Sequence, residues 1–288
     1  MRRQPAARAA YDAFRPDAAL APFIEGIWVQ QAPPAPAAPP TTLLPIGRID
    51  LAIHFGDPFD HETPSGFARV PRVYLSGQRT RPCRARATGA TGLVLVAILP
   101  WAGEALFGFP MAAIEDGVLD LAEVTGRPAA DRLASEVAAV TDAAGRARAA
   151  AAFVRARAAS AVVDARVQHA VAAFNRSWGG TGVDEVARRV GLSRRQLLRR
   201  FDEAVGTAPK TFSRIVRGQK ALGLLRAGAA PADAAARCGY TDQAHLTREL
   251  GALAGGSAGR LVGLREASPL KAAFNLPALS HFYNTVYL

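Results

Sequence analysis

Cysteine is nearly missing from this 288-residue chain: there are two, Cys83 and Cys238. That is too few for a disulfide framework and suits a reducing compartment. Long apolar runs are missing as well. The longest, Gly92 to Ala102 (GLVLVAILPWA), is too short to span a bilayer and predicts a buried strand. The first residues, MRRQPAARAAYDAFRPD, carry arginines with no apolar segment behind them, so no signal peptide is expected. Together these point to a soluble, cytoplasmic protein. Catalytic signatures are absent too: there is no GxSxG, no Gly-rich phosphate loop and no HExxH. The histidines His54, His61, His169, His245 and His281 show no metal spacing. Asp57, Asp60, His61 and Glu62 cluster in a stretch with Pro58 and Pro64, where a solvated loop is expected rather than a metal site. The reading is of a protein that is not an enzyme and needs no metal or cofactor.

Positive charge is present, and its placement matters more than its size. The net charge is +11. Residues 1–150 hold 15 Lys/Arg against 15 Asp/Glu, while residues 151–288 hold 20 against 9. A genome rich in arginine codons would load both halves, and the first half is balanced. The second half is therefore expected to meet a polyanion. Half of the residues are apolar and 20% are charged, which favours a packed core over wholesale disorder. The length suits two domains.

Along the chain, residues 32–40 (APPAPAAPP) predict an exposed loop. Ile46–Phe55, Val70–Leu75 and Leu93–Leu99 read as strands, the last ended by Pro100 and Gly103. Helical stretches follow from about Glu104 to Val140, interrupted at Pro110 and Gly126. From about Ala143 to Phe174 the pattern is helical, and Val163, Val167, Ala170, Val171 and Phe174 share one face. The expected fold class is α+β. A mixed, sheet-containing N-terminal domain precedes an all-α domain with two helix-turn-helix units joined by a long helix. The expected divisions are a sensor or dimerisation domain over 1–145, a linker over 146–161, a DNA-binding domain over 162–265 and a tail over 266–288.

The helical domain is read from DEVARRVGLSRRQLLRRF, Asp184 to Phe201. A short helix carries Val186, Ala187 and Val190, and Gly191 supplies a positive-φ turn. Ser193 caps a second helix, and Gln196 three residues on completes a capping box. Leu197, Leu198 and Phe201 begin its apolar face, while Arg194, Arg195, Arg199 and Arg200 point away from it. A helix presenting arginines after a tight turn is what docking into a DNA major groove requires, because Arg bonds guanine bidentately or grips phosphate. The plan recurs: Ala235, Gly239 and Thr241 repeat Ala187, Gly191 and Ser193 at a constant offset of 48. Thr241 is expected to cap the second reading helix, with Leu246, Leu250 and Leu253 buried and Asp242, Gln243, His245 and Arg248 outward. Phe212, Ile215, Val216, Leu222 and Leu225 predict a long helix between the units. Lys210, Arg214, Arg217 and Lys220 on it are expected to follow the DNA backbone.

These residues resemble the DNA-binding module of the AraC family of bacterial regulators, over about Val162 to Arg265. The best matches are GLSRRQLLRRFDEAVGTAPKTF (191–212) and GYTDQAHLTRELGALAG (239–255). The resemblance implies base contacts from Arg195, Leu198 and Arg199 in the first unit, and from Gln243, Ala244, His245 and Arg248 in the second. Arg194, Arg200, Lys210, Arg214 and Lys220 are the expected backbone contacts. Leu250 stands where the family usually has Phe, Ala258 where it usually has Pro, and Gly251 where a longer side chain is usual. Double-stranded DNA is the implied partner, with a small-molecule effector, RNA polymerase and a second copy of the chain as further ones.

The segments APFIEGIW (21–28), LLPIGRIDLAIHFG (43–56), YLSGQ (74–78) and ILPWAGEALFGFP (98–110) resemble an uncharacterised domain often found ahead of AraC-type modules. Such leading domains commonly sense a small molecule or mediate dimerisation. Trp28, Phe55, Tyr74 and Trp101 are the candidate ligand pocket, set against the plainer reading that they form the core. Two other functions stay open here. Pro82-Cys83 suggests a nucleophilic cysteine as in DNA alkyl-repair proteins, but Arg84 and Ala85 follow where the activating His belongs. The departures at Leu250 and Ala258 also admit a module that no longer binds DNA. The tail Ala267–Leu288 is apolar and aromatic and suits docking on the first domain or on a partner.

Overall fold

The computed structural model describes residues 10–35 and 38–255. Ala258 and the tail lie outside the described residues. The chain opens with nine strands: β1 (Ala10–Phe14), β2 (Ile24–Ala32), β3 (Thr41–Leu43), β4 (Ile49–His54), β5 (Asp60–Thr63), β6 (Gly66–Arg69), β7 (Val73–Ser76), β8 (Cys83–Arg86) and β9 (Thr91–Ile98). Helix α1 (Gly103–Phe107), a short 3-10 helix (Met111–Ile114), β10 (Val118–Asp120), α2 (Leu121–Thr125), α3 (Arg127–Ala139) and α4 (Ala143–Ala158) complete this half. The strands form two sheets, ordered β1-β2-β9-β4-β7-β10 and β3-β8-β5-β6, and the pairings are antiparallel. The small sheet expected in a mixed α/β domain is thus two sheets, packed as a sandwich. The α+β class holds.

Strand β9 shows why the layers form. All eight of its residues are buried, because alternate side chains serve opposite faces of a sheet covered on both sides. Leu93, Leu95 and Ala97 join Trp28, Tyr74, Leu43 and Ala85 between the sheets. Val94, Val96 and Ile98 face a second core that includes Leu133 and Val137 of α3 and Ala147, Ala150 and Val154 of α4.

Helices α5 (Ala165–Arg176), α6 (Val183–Arg189), α7 (Arg194–Val205), α8 (Pro209–Arg226), α9 (Pro231–Arg237) and α10 (Gln243–Ala254) form the second half. The second core runs on into it through Val167, Phe174, Phe201 and Phe212, so the two halves share continuous apolar packing. The single helix expected from Ala143 to Phe174 is in fact two. The chain leaves the helix after Ala158 and restarts at Asp164, whose carboxylate accepts from the N–H groups of Arg166 and Val167. A competing side-chain acceptor of this kind starts a helix rather than continuing one.

Asp60, His61 and Glu62, expected in a solvated loop, lie instead on β5. Asp60 bridges Arg69 and Arg86 at 2.6 and 2.9 Å. Burial raises its pKa, but these two guanidiniums outweigh that and hold it below the usual carboxylate range. Among the described residues no group of His, Cys, Asp and Glu is arranged to hold a metal, and no helix is long and apolar enough to cross a membrane.

Candidate nucleic-acid interface

The two helix-turn-helix units form as the repeat predicts, with one difference. In the first, Gly191 takes φ 67°. Ser193 Oγ accepts from the Gln196 N–H at 3.3 Å, while the Gln196 side chain accepts from the Ser193 N–H at 2.9 Å. In the second, Gly239 takes φ 70°, but the cap moves one residue on: Asp242, not Thr241, accepts from the His245 N–H at 2.7 Å. A carboxylate is the stronger acceptor, and it draws the helix start from Thr241 to Asp242. Helices α6 and α9 therefore start 48 residues apart, at 183 and 231, whereas α7 and α10 start 49 apart, at 194 and 243. This brings Thr247 into register with Leu198 on the reading face, a match that the constant offset of 48 conceals. Thr247 is exposed.

On α7, Leu197, Phe201, Ala204 and Val205 are buried, and Arg195, Leu198 and Arg199 face solvent. The N-terminal half meets this helix near its C-terminal end, where Gly206 (φ 84°) sits so close to Met111 that a Cβ would overlap it. The cationic face is left open. Arg194 reaches Asp184 at 2.8 Å and Arg199 approaches Glu203 at 3.6 Å. Such exposed pairs are worth roughly 0–1 kcal/mol, too little to resist exchange for phosphate. Arg200 is held by Asp164 at 2.7 Å. Burial raises the Asp164 pKa, but the Arg200 bond and two backbone N–H groups overcome it and leave the carboxyl below its ordinary range. Arg188 and Arg189 both pair with Glu185. Arg195, Lys210, Arg214 and Arg248 are exposed and make no ion pair among the described residues.

In the second unit, Gln243, Ala244 and Arg248 are exposed. His245 is half-buried, edge-on to Tyr240 at 5.3 Å. Its Nδ1 accepts from the Thr241 N–H at 3.4 Å, which places the proton of the neutral ring on Nε2 and leaves that nitrogen a donor. Helix α8 joins the units. Its 18 residues make it ~27 Å long. Glycine at position 218 lets Leu253 and Leu250 of α10 close onto it, since a Cβ there would overlap Leu253. Two cations expected along the DNA backbone are turned inward. Arg217 donates to the Gly179 carbonyl at 2.6 Å and lies over Tyr240, and Lys220 lies over the Trp178 ring at 5.4 Å.

The four aromatics named as a candidate pocket do not line one cavity. Tyr74 borders a cavity between the two sheets. Trp28 lies beneath Arg48 in the core between the sheets, Phe55 lies under Arg146 at 3.8 Å, and Trp101 donates to the Pro22 carbonyl on the far face of the large sheet. Strand alternation leaves Trp28 and Tyr74 on one face of the large sheet, while Trp101 and Phe55 pack with the core on the other, which their sequence positions alone do not show. Cys83 is half-buried, and its Sγ lies 3.8 Å from the Glu62 carbonyl. Arg84 and Arg81 are taken up by Glu62 and Asp116, and the Cys83 thiol faces backbone carbonyls of Glu62 and Arg84. Cys238 is buried at the end of α9.

Residues 186–262 match the model of a helix-turn-helix domain, and residues 12–120 match a domain of unknown function, DUF6597. No curated protein matches the chain. Among solved structures, an AraC-type DNA-binding-domain regulator from Chromobacterium violaceum is 24% identical, covering 36% of this chain and 95% of its own, with a TM-score of 0.34. A probable AraC-family regulator from Rhodopseudomonas palustris is 22% identical over 36% of this chain and 100% of its own, at 0.32. ToxT from Vibrio cholerae is 7% identical over 90% of this chain and 99% of its own, at 0.46.

Proposed function

From a chain that carries an AraC-type helix-turn-helix domain at 186–262 behind a DUF6597 domain at 12–120, we propose a sequence-specific transcription regulator whose DNA binding is modulated through its N-terminal half. The duplicated, capped helix-turn-helix with an uncovered cationic face carries this reading. Arg195, Arg199, Gln243, His245 and Arg248 contact base edges, with Thr247 in register beside them. Arg194, Lys210 and Arg214 contact phosphates, while Arg200 and Lys220, held by Asp164 and Trp178, contribute to the field around the site. The regulatory unit spans 1–145 and the DNA-binding unit 162–265. Helix α4 packs on β2 and β9, so the turn at 159–164 is the joint between them. The protein works in the cytoplasm, without enzymatic activity, on double-stranded DNA. A small-molecule effector, RNA polymerase or a second copy of the chain completes the switch.

Arg195→Ala and Arg199→Ala are each expected to weaken binding to the specific site by ~1–3 kcal/mol and to relax sequence preference at one position. Lys210→Ala should weaken specific and non-specific DNA about equally and lower the salt slope by about one. The measurement is a DNA titration over a salt series, on sites selected from genomic fragments. Wild-type affinity in both arginine variants would remove the first unit from the reading surface.

A further inference from the structure

The interior of the sandwich holds more charge than a packed core tolerates without purpose. Arg48, at the entry to β4, is buried with Asp50 2.7 Å from its Nε and Glu25 3.6 Å from its Nη1. Arg79, just beyond β7, is half-buried and bonds Ser76 Oγ at 3.3 Å and His61 Nδ1 at 3.5 Å. Among the described residues no carboxylate lies within ion-pair distance of Arg79, although its charge acts on Asp50. His61 is 6% exposed, and its Nε2 has no hydrogen-bond partner among the described residues. Arg48, Asp50, His61, Ser76 and Arg79, with Tyr74, line a cavity of ≈ 20 Å³, room for about one water.

The chemistry of this lining selects its occupant. A guanidinium is a donor without acceptor capacity, and with Arg79 donating to Nδ1 the neutral His61 ring presents a proton at Nε2. Burial and Arg79 hold the ring neutral, its pKa pushed down to about 3. Burial also pushes the Glu25 carboxyl up to about 7, so Glu25 brings less than a full negative charge to this interior near neutrality. The Arg79 guanidinium and the His61 Nε2 proton together match a compact acceptor carrying one negative charge. Carboxylate matches a guanidinium bidentately, and its headgroup is small.

The wall of the cavity also touches the DNA-binding half. Leu44 and Ile46 line it. Leu44 is at the same time buried against Ala221, Leu222 and Leu225 of α8. Pro45 accepts a hydrogen bond from the Gln219 side chain, and Gly47, at φ 74°, backs onto Phe212 and Ile215, leaving little room for a Cβ. An occupant larger than a water must move the 43–48 strap, and the strap rests on the helix that fixes the two reading helices relative to each other.

Resting on the regulator reading above, we propose that this cavity is the effector site, that it binds a small carboxylate through Arg79, His61 and Ser76, and that the 43–48 strap transmits occupancy to α8. Coupling of this kind requires different ligand affinity in the two DNA-binding states and is reciprocal.

The test uses formate, acetate and lactate as probes on the full chain, against chloride at equal ionic strength. At least one carboxylate is expected to raise the unfolding midpoint saturably. Arg79→Gln, checked for fold by circular dichroism, is expected to weaken that binding roughly 10–100-fold, the loss of a charge-assisted contact. The same probe should shift wild-type DNA affinity at least fivefold, a shift that Leu44→Ala reduces. If no probe differs from chloride, or Arg79→Gln responds like wild type, the site assignment is overturned. Carboxylate binding without any effect on DNA affinity overturns the strap coupling. DNA binding that survives while the probes fail keeps the regulator reading, and saturable carboxylate binding by a protein that ignores DNA refutes that reading instead.

Discussion

Phe201→Ala is expected to cost about 3–5 kcal/mol of unfolding free energy, the range for deleting a fully buried aromatic ring. Phe201 sits at the middle of three rings with no exposure, Phe174 on α5 and Phe212 on α8 being the others. It meets Phe174 edge-on at 5.8 Å and Phe212 at 5.5 Å, and Phe174 and Phe212 lie 6.4 Å apart. Edge-to-face pairs add about 0.5–1.5 kcal/mol beyond area burial. The three rings come from three helices, so none can collapse into the void without moving a helix, and the cavity cost stays high. Against a total stability of about 5–15 kcal/mol, the variant should be partly unfolded at 37 °C. Specific DNA binding should fall with it, because Arg195 and Arg199 stand on the same helix. Equilibrium denaturation in urea measures the first effect, and a loss below ~1 kcal/mol would show that the first unit does not depend on this ring cluster. At the matching place in α10 stands Leu250, buried with Leu246 and Cys238; truncation there removes a smaller side chain and should cost less.

The second large effect concerns acid. His54 is fully buried among Phe59 and Tyr74, and neither ring nitrogen has a hydrogen-bond partner among the described residues. Burial, with Arg72 and Arg69 nearby, pushes its pKa down to about 3. The unfolded chain binds this proton near pH 6.5, so between pH 6.5 and 3 the unfolded state holds a proton that the folded state does not. Stability from this group is present above pH 6.5 and is lost as pH falls through that window. His61 acts in the same direction. Glu25, raised to about 7, opposes them, because the folded state keeps its proton between pH 7 and the unfolded value of 4.5. Asp50, also raised by burial, works with Glu25. A single-site comparison isolates His54. His54→Leu should be near neutral at pH 7, where an unsatisfied ring is exchanged for an apolar side chain. It should then gain about 1.4 kcal/mol on wild type for each pH unit between roughly 6 and 4. Urea midpoints at four pH values measure this. Parallel curves for the two proteins would mean that His54 is protonated or solvated in the folded state.

Much of the reading surface was legible in the chain itself. A glycine at 191 and again at 239, a capping residue soon after each, and apolar residues three and four apart describe helix, turn and helix without any tertiary information. Those signals are local: a cap and a positive-φ turn act within a few residues, and the apolar stripe of a helix repeats within two turns. The charge imbalance between the halves pointed to the same surface. Local chemistry also explains the single slip there, since Thr241 and Asp242 are adjacent acceptors and only the backbone decides which one caps α10.

The N-terminal half was legible only in its central strands. Ile49–His54, Val73–Ser76 and Thr91–Ile98 announce themselves because burial on both faces demands continuous apolar sequence. The strands Asp60–Thr63, Gly66–Arg69 and Cys83–Arg86 do not. Their polar pattern fits a loop equally well, and they become a sheet only when Asp60 finds Arg69 and Arg86 across it. Pairing partners distant in sequence also decide what faces the interior. That is why His61 and Arg79, distant from Arg48 and Asp50 in the chain, meet them at one cavity, while Phe55 and Trp101 pack on the other side of the large sheet. The sequence by itself determined two helix-turn-helix units and their outward arginines, because short-range backbone geometry suffices for them. The tertiary structure alone decided which of those cations remain unpaired, which charges are buried together between the sheets, and that the 43–48 strap lies between that charge and α8. Each of these depends on contacts between residues tens to more than a hundred positions apart, and no local pattern encodes them.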